Sequence, residues 1–327
     1  MDIVDFDLGS PPEWLDAWHR LDVDVSLETL TGLEPPTPSE SRGELLSDFA
    51  YHRRGLAAID GGQLVGAIAI EESMLEDLDT AYSWLLVDSA HRRRGVGTRL
   101  LDATRELLRA NGRTRLDSSV LIGSPASAFA TSRGARVTQI EVPNVLDVTT
   151  LDRDALRADA QPRSPYLLST WTGSCPDDLV DAYAAAHAAM DDAPHGAETY
   201  DDAVWSAERV RGHEERWAGL GHRTLTTAAV HAPSGSVVGY TVLLLTGRPS
   251  TASQEDTGVV RAHRGHRLGL AIKSANLLAL TEQEPAITTV VTWNAESNAH
   301  MLAVNDELGF RRHSRWEEVT LDLLVSH

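Results

Sequence analysis

The sequence predicts an α/β protein of the α+β kind: two tandem domains, each a mixed, mostly antiparallel sheet flanked by helices. Three observations carry this. The chain has 327 residues, about twice the usual length of one domain. Its halves repeat the same order of turns and apolar runs, with an arginine- and glycine-rich turn after a strand in each. Hairpin signals outnumber crossover signals, so the sheets are not of the doubly wound parallel type.

In the first half, "PEWLDAWHRLDVDV" has helical spacing. "AAIDGGQLVGAIAIEE" places two apolar runs around Gly-Gly, a β-hairpin. "YSWLLVDSAHRRRGVGTRLL" reads as strand, turn and helix, the helix carrying Leu100, Leu101, Leu107 and Leu108. "SSVLIGSPASAFATSRGAR" adds a strand, a short turn, a helix and Gly134. The second half repeats the series: "PDDLVDAYAAAHAAM" as helix, "TTAAVHAPSGSVVGYTVLLL" as hairpin, "EDTGVVRAHRGHRLGLAIKS" as strand, turn and helix. "TVVTWNAESNAHMLAVNDELGFR" then ends on Gly309. Val87 precedes Arg92 by five residues, as Val259 precedes Arg264. Between the halves, helical sequence runs to Ala160, and Pro162 and Pro165 come before "YLLSTWTG" starts afresh. The expected domains are therefore 1–160 and 161–327.

Composition narrows the function. A hydrophobic share of 42% with 24% charged residues is that of a globular protein. The acidic start "MDIVDFDLGSPPEW" lacks a signal-peptide pattern, and no apolar stretch approaches the ~20 residues that span a bilayer. A cytoplasmic protein without a membrane partner is expected. The net charge of -19 opposes general affinity for nucleic acid, whose phosphates reward basic residues. Cys175 is the single cysteine, which rules out an internal disulfide and a cysteine-built metal centre, and it reads as a small filler residue. No metal is expected. Among 29 basic residues the one lysine is Lys273, a bias that reads as genome composition.

The turn Arg92-Arg93-Arg94-Gly95-Val96-Gly97-Thr98 opens a helix after a strand ending at Val87. It lacks the third glycine of a dinucleotide fingerprint and the Gly-Lys-Ser/Thr of a Walker loop. Its successive backbone N–H groups and the helix N-terminus suit an anion such as pyrophosphate. The second-half counterpart runs from Val259 and Val260 through Arg264, Gly265, His266, Arg267 and Leu268 to Gly269.

These residues resemble the signature of the GNAT superfamily of acetyl-CoA-dependent N-acetyltransferases: a valine-ended strand, then Gln/Arg-x-x-Gly-x-Gly/Ala and a helix. "VDSAHRRRGVG" matches it fully. "VVRAHRGHRLG" departs where Arg267 replaces the first glycine. "NAHMLAVNDELGF", residues 298–310, resembles the family's later Asn-x-x-Ala-x-x-x-Tyr-x-x-x-Gly-Phe motif, with Asn305 in place of tyrosine. The first half has Gly123, Ala130 and Ala135 at the asparagine, tyrosine and phenylalanine positions. The chain thus resembles a tandem GNAT protein, an arrangement also found in mycothiol synthase.

The resemblance implies acetyl-CoA as cofactor, held by the loop amides, with pantetheine inserted between splayed strands and Asn294 and Asn298 nearby. The acceptor amine attacks the thioester directly. Glu255 and Asp256 lie on the strand before the second loop as candidate bases; alternation puts one of them on the substrate face, and Asp256 is preferred. Glu71, Glu72 and Asp79 are the first-half counterparts. Asn305 can donate to the thiolate sulfur without serving as an acid. Asp191, Asp192, Asp201 and Asp202, in the presumed acceptor loop with His195, would hold a cationic small-molecule amine or cap helices, and Trp293 would wall the pocket. The second half, richer in polar groups at these places, is the expected catalytic one. The alternative is a catalytically silent acyl-CoA-binding or scaffold protein. A monomer or a homodimer is compatible with either.

Overall fold

The computed structural model describes residues 1–162, 164–187 and 201–324. The chain divides into two compact units: residues 1–140, 201 and 315–324 form the first, and residues 141–162, 164–187 and 202–314 the second.

In chain order the first unit holds β1 (Asp2–Phe6), α1 (Pro12–Thr29), α2 (Pro38–Gly43), β2 (Tyr51–Asp60), β3 (Gln63–Ser73) and β4 (Thr80–Val87). There follow α3 (Val96–Ala110), β5 (Arg115–Leu121), α4 (Pro125–Ser132) and the start of β6 (Arg136–Asp147). The second unit takes the rest of β6, then α5 (Arg153–Asp159), β7 (Tyr166–Thr172), α6 (Val180–Ala186), α7 (Ala207–Gly219), β8 (Arg223–His231), β9 (Ser236–Leu245) and β10 (Thr251–Val259). It continues with α8 (Leu268–Gln283), β11 (Thr289–Ala295), α9 (Ala299–Leu308) and β12 (Arg311–Arg312). The last strand, β13 (Trp316–Asp322), returns to the first unit.

Each sheet is mostly antiparallel, with one parallel pair, β4 with β5 in the first unit and β10 with β11 in the second. The first sheet runs β1-β2-β3-β4-β5-β13, and the second β6-β11-β10-β9-β8-β7. Helices cover them as the apolar pattern dictates. Leu100, Leu101 and Leu108 of α3 join Ile68, Ile70 and Leu116 in one core, while Leu270, Leu277 and Leu280 of α8 join Leu243, Val290 and Phe310 in another. Cys175 is buried, and burial pushes its thiol up to about 12, so it supplies no thiolate nucleophile. Among the described residues no helix is long and apolar enough to cross a membrane.

The compact units do not follow the division at residue 160. Residues 141–147 of β6 pair with β11 of the second sheet, from Glu141 opposite Ala295 to Asp147 opposite Thr289. In return β13 pairs with β5, from Trp316 opposite Leu121 to Asp322 opposite Arg115. The two halves have exchanged their last strands. Which strand fills an open sheet edge is a long-range choice that hydrophobic alternation does not encode.

Candidate active site

The two loops share one backbone course. Each β-strand ends in a single 3₁₀ turn, Ser89–His91 or Arg261–His263. The arginine after it folds back on the strand: Arg92 Nε donates to the Val87 carbonyl at 3.1 Å, and Arg264 Nε to the Val259 carbonyl at 2.9 Å. The first arginine of each motif is therefore a clamp on the turn. Arg92 is further held by Glu28 of α1, through Nη1 at 2.9 Å and Nη2 at 3.2 Å. Beside it lies a cleft of about 330 Å³ between α1 and the loop, lined by Leu21, Val25, Glu28, Asp88 and Arg92 among others.

Two positions in each loop are left-handed: Arg93 (φ 63°) and Gly95 (φ 84°) in the first, Gly265 (φ 84°) and Arg267 (φ 58°) in the second. The same shape is thus written with glycine and arginine interchanged. Arg267 adopts the glycine's conformation at a backbone cost, since an L side chain is strained there. Two left-handed residues separated by one of negative φ are a backbone pattern that can form an anion nest. Gly97 and Gly269 sit in the first helical turn. A Cβ at Gly97 would meet Leu85, Phe129 and Val87 at 3.5–3.7 Å, ordinary contact, so its neighbours alone do not demand glycine.

Arg267 does not stand ready for phosphate. Its Nη2 lies 2.5 Å from Glu307 and 3.6 Å from Asp159, and the hydrogen bond to Glu307 holds its guanidinium above the usual arginine range. Two carboxylates thus stand beside the second loop. Arg267→Gly strips the cation from Glu307 and Asp159 beside the loop and is expected to weaken CoA binding there. Calorimetry on the full chain checks this, and tighter binding would show that the side chain obstructs the site.

Past the loops, the parallel pairs open. β4 and β5 are paired from Thr80–Arg115 to Tyr82–Asp117, and β10 and β11 from Thr251–Thr289 to Gln254–Thr292. Beyond those points both partners run on unpaired with each other, to Val87 and Leu121, and to Val259 and Ala295.

Here the units diverge. β4 pairs with β3 without interruption from Glu72–Ala81 to Gly66–Val87. β10 breaks register against β9 between Gln254 and Thr257, so that Glu255 and Asp256 together oppose Val242. At this bulge strict alternation no longer assigns the two side chains to opposite faces, because two residues occupy the place of one. Both carboxylates reach solvent, yet enough protein surrounds them that desolvation dominates their proton affinity. Burial, and then the neighbouring Asp256 charge, push Glu255 up to about 7. Burial also raises Asp256, against a hydrogen bond from the Tyr240 hydroxyl. The same Tyr240 hydroxyl lies 2.9 Å from His187 Nδ1. His187 is pushed down to about 3 by burial, and stacks on Trp205 at 3.8 Å. A neutral imidazole with its proton on Nδ1 donates to Tyr240, which donates to Asp256.

The first-half carboxylates are spent. Glu71 pairs with Arg53 at 2.5 Å, Glu72 binds Arg113 and Asn111 at 3.1 Å, and Asp79 is shared by Thr114 and Arg115. None is left as an unpaired base.

Two expectations are corrected in detail. Asn305 is fully buried, with Oδ1 accepting from Lys273 Nζ at 2.8 Å and Nδ2 donating to Asn294 at 2.7 Å, so its donor is committed within the protein. Asn298 is the N-cap of α9, its Oδ1 accepting from the Met301 N–H at 3.2 Å. The matching cap of α4 is Ser124 rather than Gly123. Trp293 is 41% exposed on the splayed end of β11. Asp191, Asp192 and His195 lie outside the described residues. The sequence reading passed over Tyr240, His187 and Lys273; the last alone carried a signal, as the only lysine.

A clamped loop before a helix, a parallel pair that opens beside it and a sheet of this order occur together in both units. Residues 18–132 match the acetyltransferase (GNAT) family. A tandem GNAT protein from the clavulanic acid biosynthesis pathway, solved without AcCoA, is 31% identical with a TM-score of 0.81, over 100% of this chain and 99% of that one. A GCN5-related N-acetyltransferase from Sphaerobacter thermophilus is 15% identical with a TM-score of 0.64, over 99% and 97% of the two chains. A GCN5-related glucosamine N-acetyltransferase region of a fungal multi-domain β-N-acetylglucosaminidase is 16% identical with a TM-score of 0.69, over 98% of this chain and 38% of that one. The last two bear on the fold alone. No curated protein matches significantly. The chain belongs to the GNAT acetyltransferase family, as an enzyme with tandem GNAT domains.

Proposed function

We propose that the protein is a cytoplasmic N-acetyltransferase that moves the acetyl group of acetyl-CoA to a primary amine of a small molecule, and that transfer takes place in the second unit. The observation that carries this is the bulge at Glu255 and Asp256: two carboxylates without a cationic partner among the described residues, on the splayed strand beside the loop. The first unit has an uninterrupted strand and ion-paired acids in the corresponding region.

In this reading the loop amides of Gly265 to Gly269 hold the pyrophosphate, and pantetheine lies between β10 and β11. Acetyl-CoA supplies an activated acyl group when bound. Sequence favours Asp256 as base; we assign proton removal to Glu255, because a base is most effective when it titrates near the working pH. Asp256, which accepts a hydrogen bond from the Tyr240 hydroxyl, holds the incoming ammonium, and Trp293 walls the acceptor. The first unit, whose loop has the same shape, binds a second CoA and supports the fold. The related tandem GNAT protein's place in clavulanic acid biosynthesis supports a small-molecule acceptor. Neither nucleic acid nor membrane is required as partner, and a monomer or homodimer suffices.

The test is free-thiol release from acetyl-CoA screened over an amine library, including amino sugars, polyamines and amino acids. Acceptor-dependent release is expected for a cationic amine. Release with none of them would leave the silent acyl-CoA-binding reading in its place.

A further inference from the structure

Lys273 is the chain's only lysine, lies in the middle of α8 and is 1% exposed. A buried ammonium is costly without an anion beside it. Among the described residues none is there: Nζ donates to Asn305 Oδ1 at 2.8 Å and lies 5.0 Å from the centre of the Phe310 ring. Burial alone lowers its proton affinity, to about 7; no carboxylate, histidine or arginine adds to or offsets that shift.

The lysine also fixes the orientation of the amides next to it. When Lys273 is protonated it only donates, so the atom of Asn305 facing it is then the oxygen, and Nδ2 is the donor to Asn294 at 2.7 Å. Asn294 accepts there with Oδ1, which takes a second bond from Asn144 Nδ2 at 3.3 Å. Asn294 Nδ2 is therefore the free end of the chain. It has no acceptor among the described residues, and Asn294 is only partly buried. Asn294 is also the second residue of β11 past the last pairing with β10, where the two strands open. Each bond in such a chain polarises the next, so charge at Lys273 strengthens the donor at Asn294.

We infer that Lys273, acting through Asn305 and Asn294, is a positioning residue that stabilises the thiolate leaving from the acyl donor, in the place where tyrosine is missing. The inference rests on the proposed transfer in the second unit. As the amine nitrogen bonds to the acetyl carbon, the C–S bond breaks and its electron pair stays on sulfur. The proton lost by nitrogen goes to Glu255. The thiolate accepts a hydrogen bond from Asn294 Nδ2 in the field of the ammonium, and later takes a proton from water to leave as the free thiol.

A chain with one lysine allows a direct test. Full-length protein labelled with ¹³C-lysine gives one side-chain signal, whose pH titration is followed free, with CoA and with desulfo-CoA. Binding of CoA is expected to raise the midpoint by about one pH unit or more, while desulfo-CoA leaves it near the free value. Equal midpoints with the two ligands would overturn the inference. Backbone amide shifts of Gly265 and Gly269 report separately on cofactor binding in the second unit; if neither ligand moves them, the proposed function fails and takes the inference with it.

Kinetics give an independent readout. Lys273→Met removes a buried charge, so the fold is retained. We expect its kcat to fall about 10²-fold, with the KM for acetyl-CoA within a few-fold and the alkaline limb of the pH profile lost. An unchanged kcat would exclude the role.

Discussion

Replacing Glu255 by Gln lowers turnover by about 10²–10⁴-fold, the usual loss when a positioned base is removed, and leaves CoA affinity nearly unchanged. The reasoning starts from the bulge, which sets Glu255 next to Asp256. Burial and the Asp256 charge bring Glu255 to about 7, so it is ionised above that pH and protonated below. The kcat/KM of the parent enzyme therefore falls on the acid side through pH 7, and Glu255→Gln abolishes that limb. Asp256→Asn acts differently. It removes the like charge that helps raise Glu255, so the limb moves to lower pH, and it raises the KM for a cationic amine. Initial rates against pH for the three proteins decide this. Full activity in Glu255→Gln, with the limb in place, would remove Glu255 from the mechanism.

Ending the chain after Ser314 unfolds the first unit, although its loop, α3 and hairpin all lie far upstream in sequence. The deleted strand covers the whole of β5. It also brings Val319, Leu321 and Leu323 into the first-unit interior at 6%, 5% and 0% exposure. Burying such side chains stabilises by roughly 1.5–3 kcal/mol each. Three of them, with a lost ladder, are comparable to the whole stability of a domain, about 5–15 kcal/mol. Thermal unfolding followed by circular dichroism should show an early transition in the truncated chain, and CoA binding by the first loop should vanish. A melting curve matching that of the full chain would mean that β13 is not part of the first sheet's stable structure. For the same reason residues 1–160 alone are a poor test of the first loop, since they lack β13.

Both expected outcomes turn on features, a bulge and a strand exchange, that short-range sequence chemistry does not set. Both hairpins, both arginine loops and α9 with its Gly309 stop are set by short-range chemistry, and local patterns foretold them. Even Arg267, which breaks the motif, keeps the loop's shape because Gly265 supplies the other left-handed position. The strand exchange was hidden because β6 and β13 look alike as half-buried strands, and their partners lie far away in sequence. The bulge was hidden because "SQEDTGVV" has no glycine or proline at the break, so alternation assigned Glu255 and Asp256 to opposite faces. Asn305 was placed at the sulfur on motif position alone; its buried bonds to Lys273 and Asn294 are tertiary. Lys273 did have a sequence signal, a lone lysine in an arginine-rich chain, which composition explained too readily.

The central claim, transfer in the second unit, is tested most directly by two loop variants in the full-length chain, each at the left-handed glycine of its own loop. Gly95 and Gly265 both sit at φ 84° with nothing within 4 Å of an added Cβ. Valine at either position thus strains the backbone without a steric clash, and damages one nest in each protein. Thiol release from acetyl-CoA, with an accepted amine, should be abolished by Gly265→Val and largely retained in Gly95→Val. Retained turnover in Gly265→Val together with its loss in Gly95→Val would contradict the account and move the chemistry to the first unit.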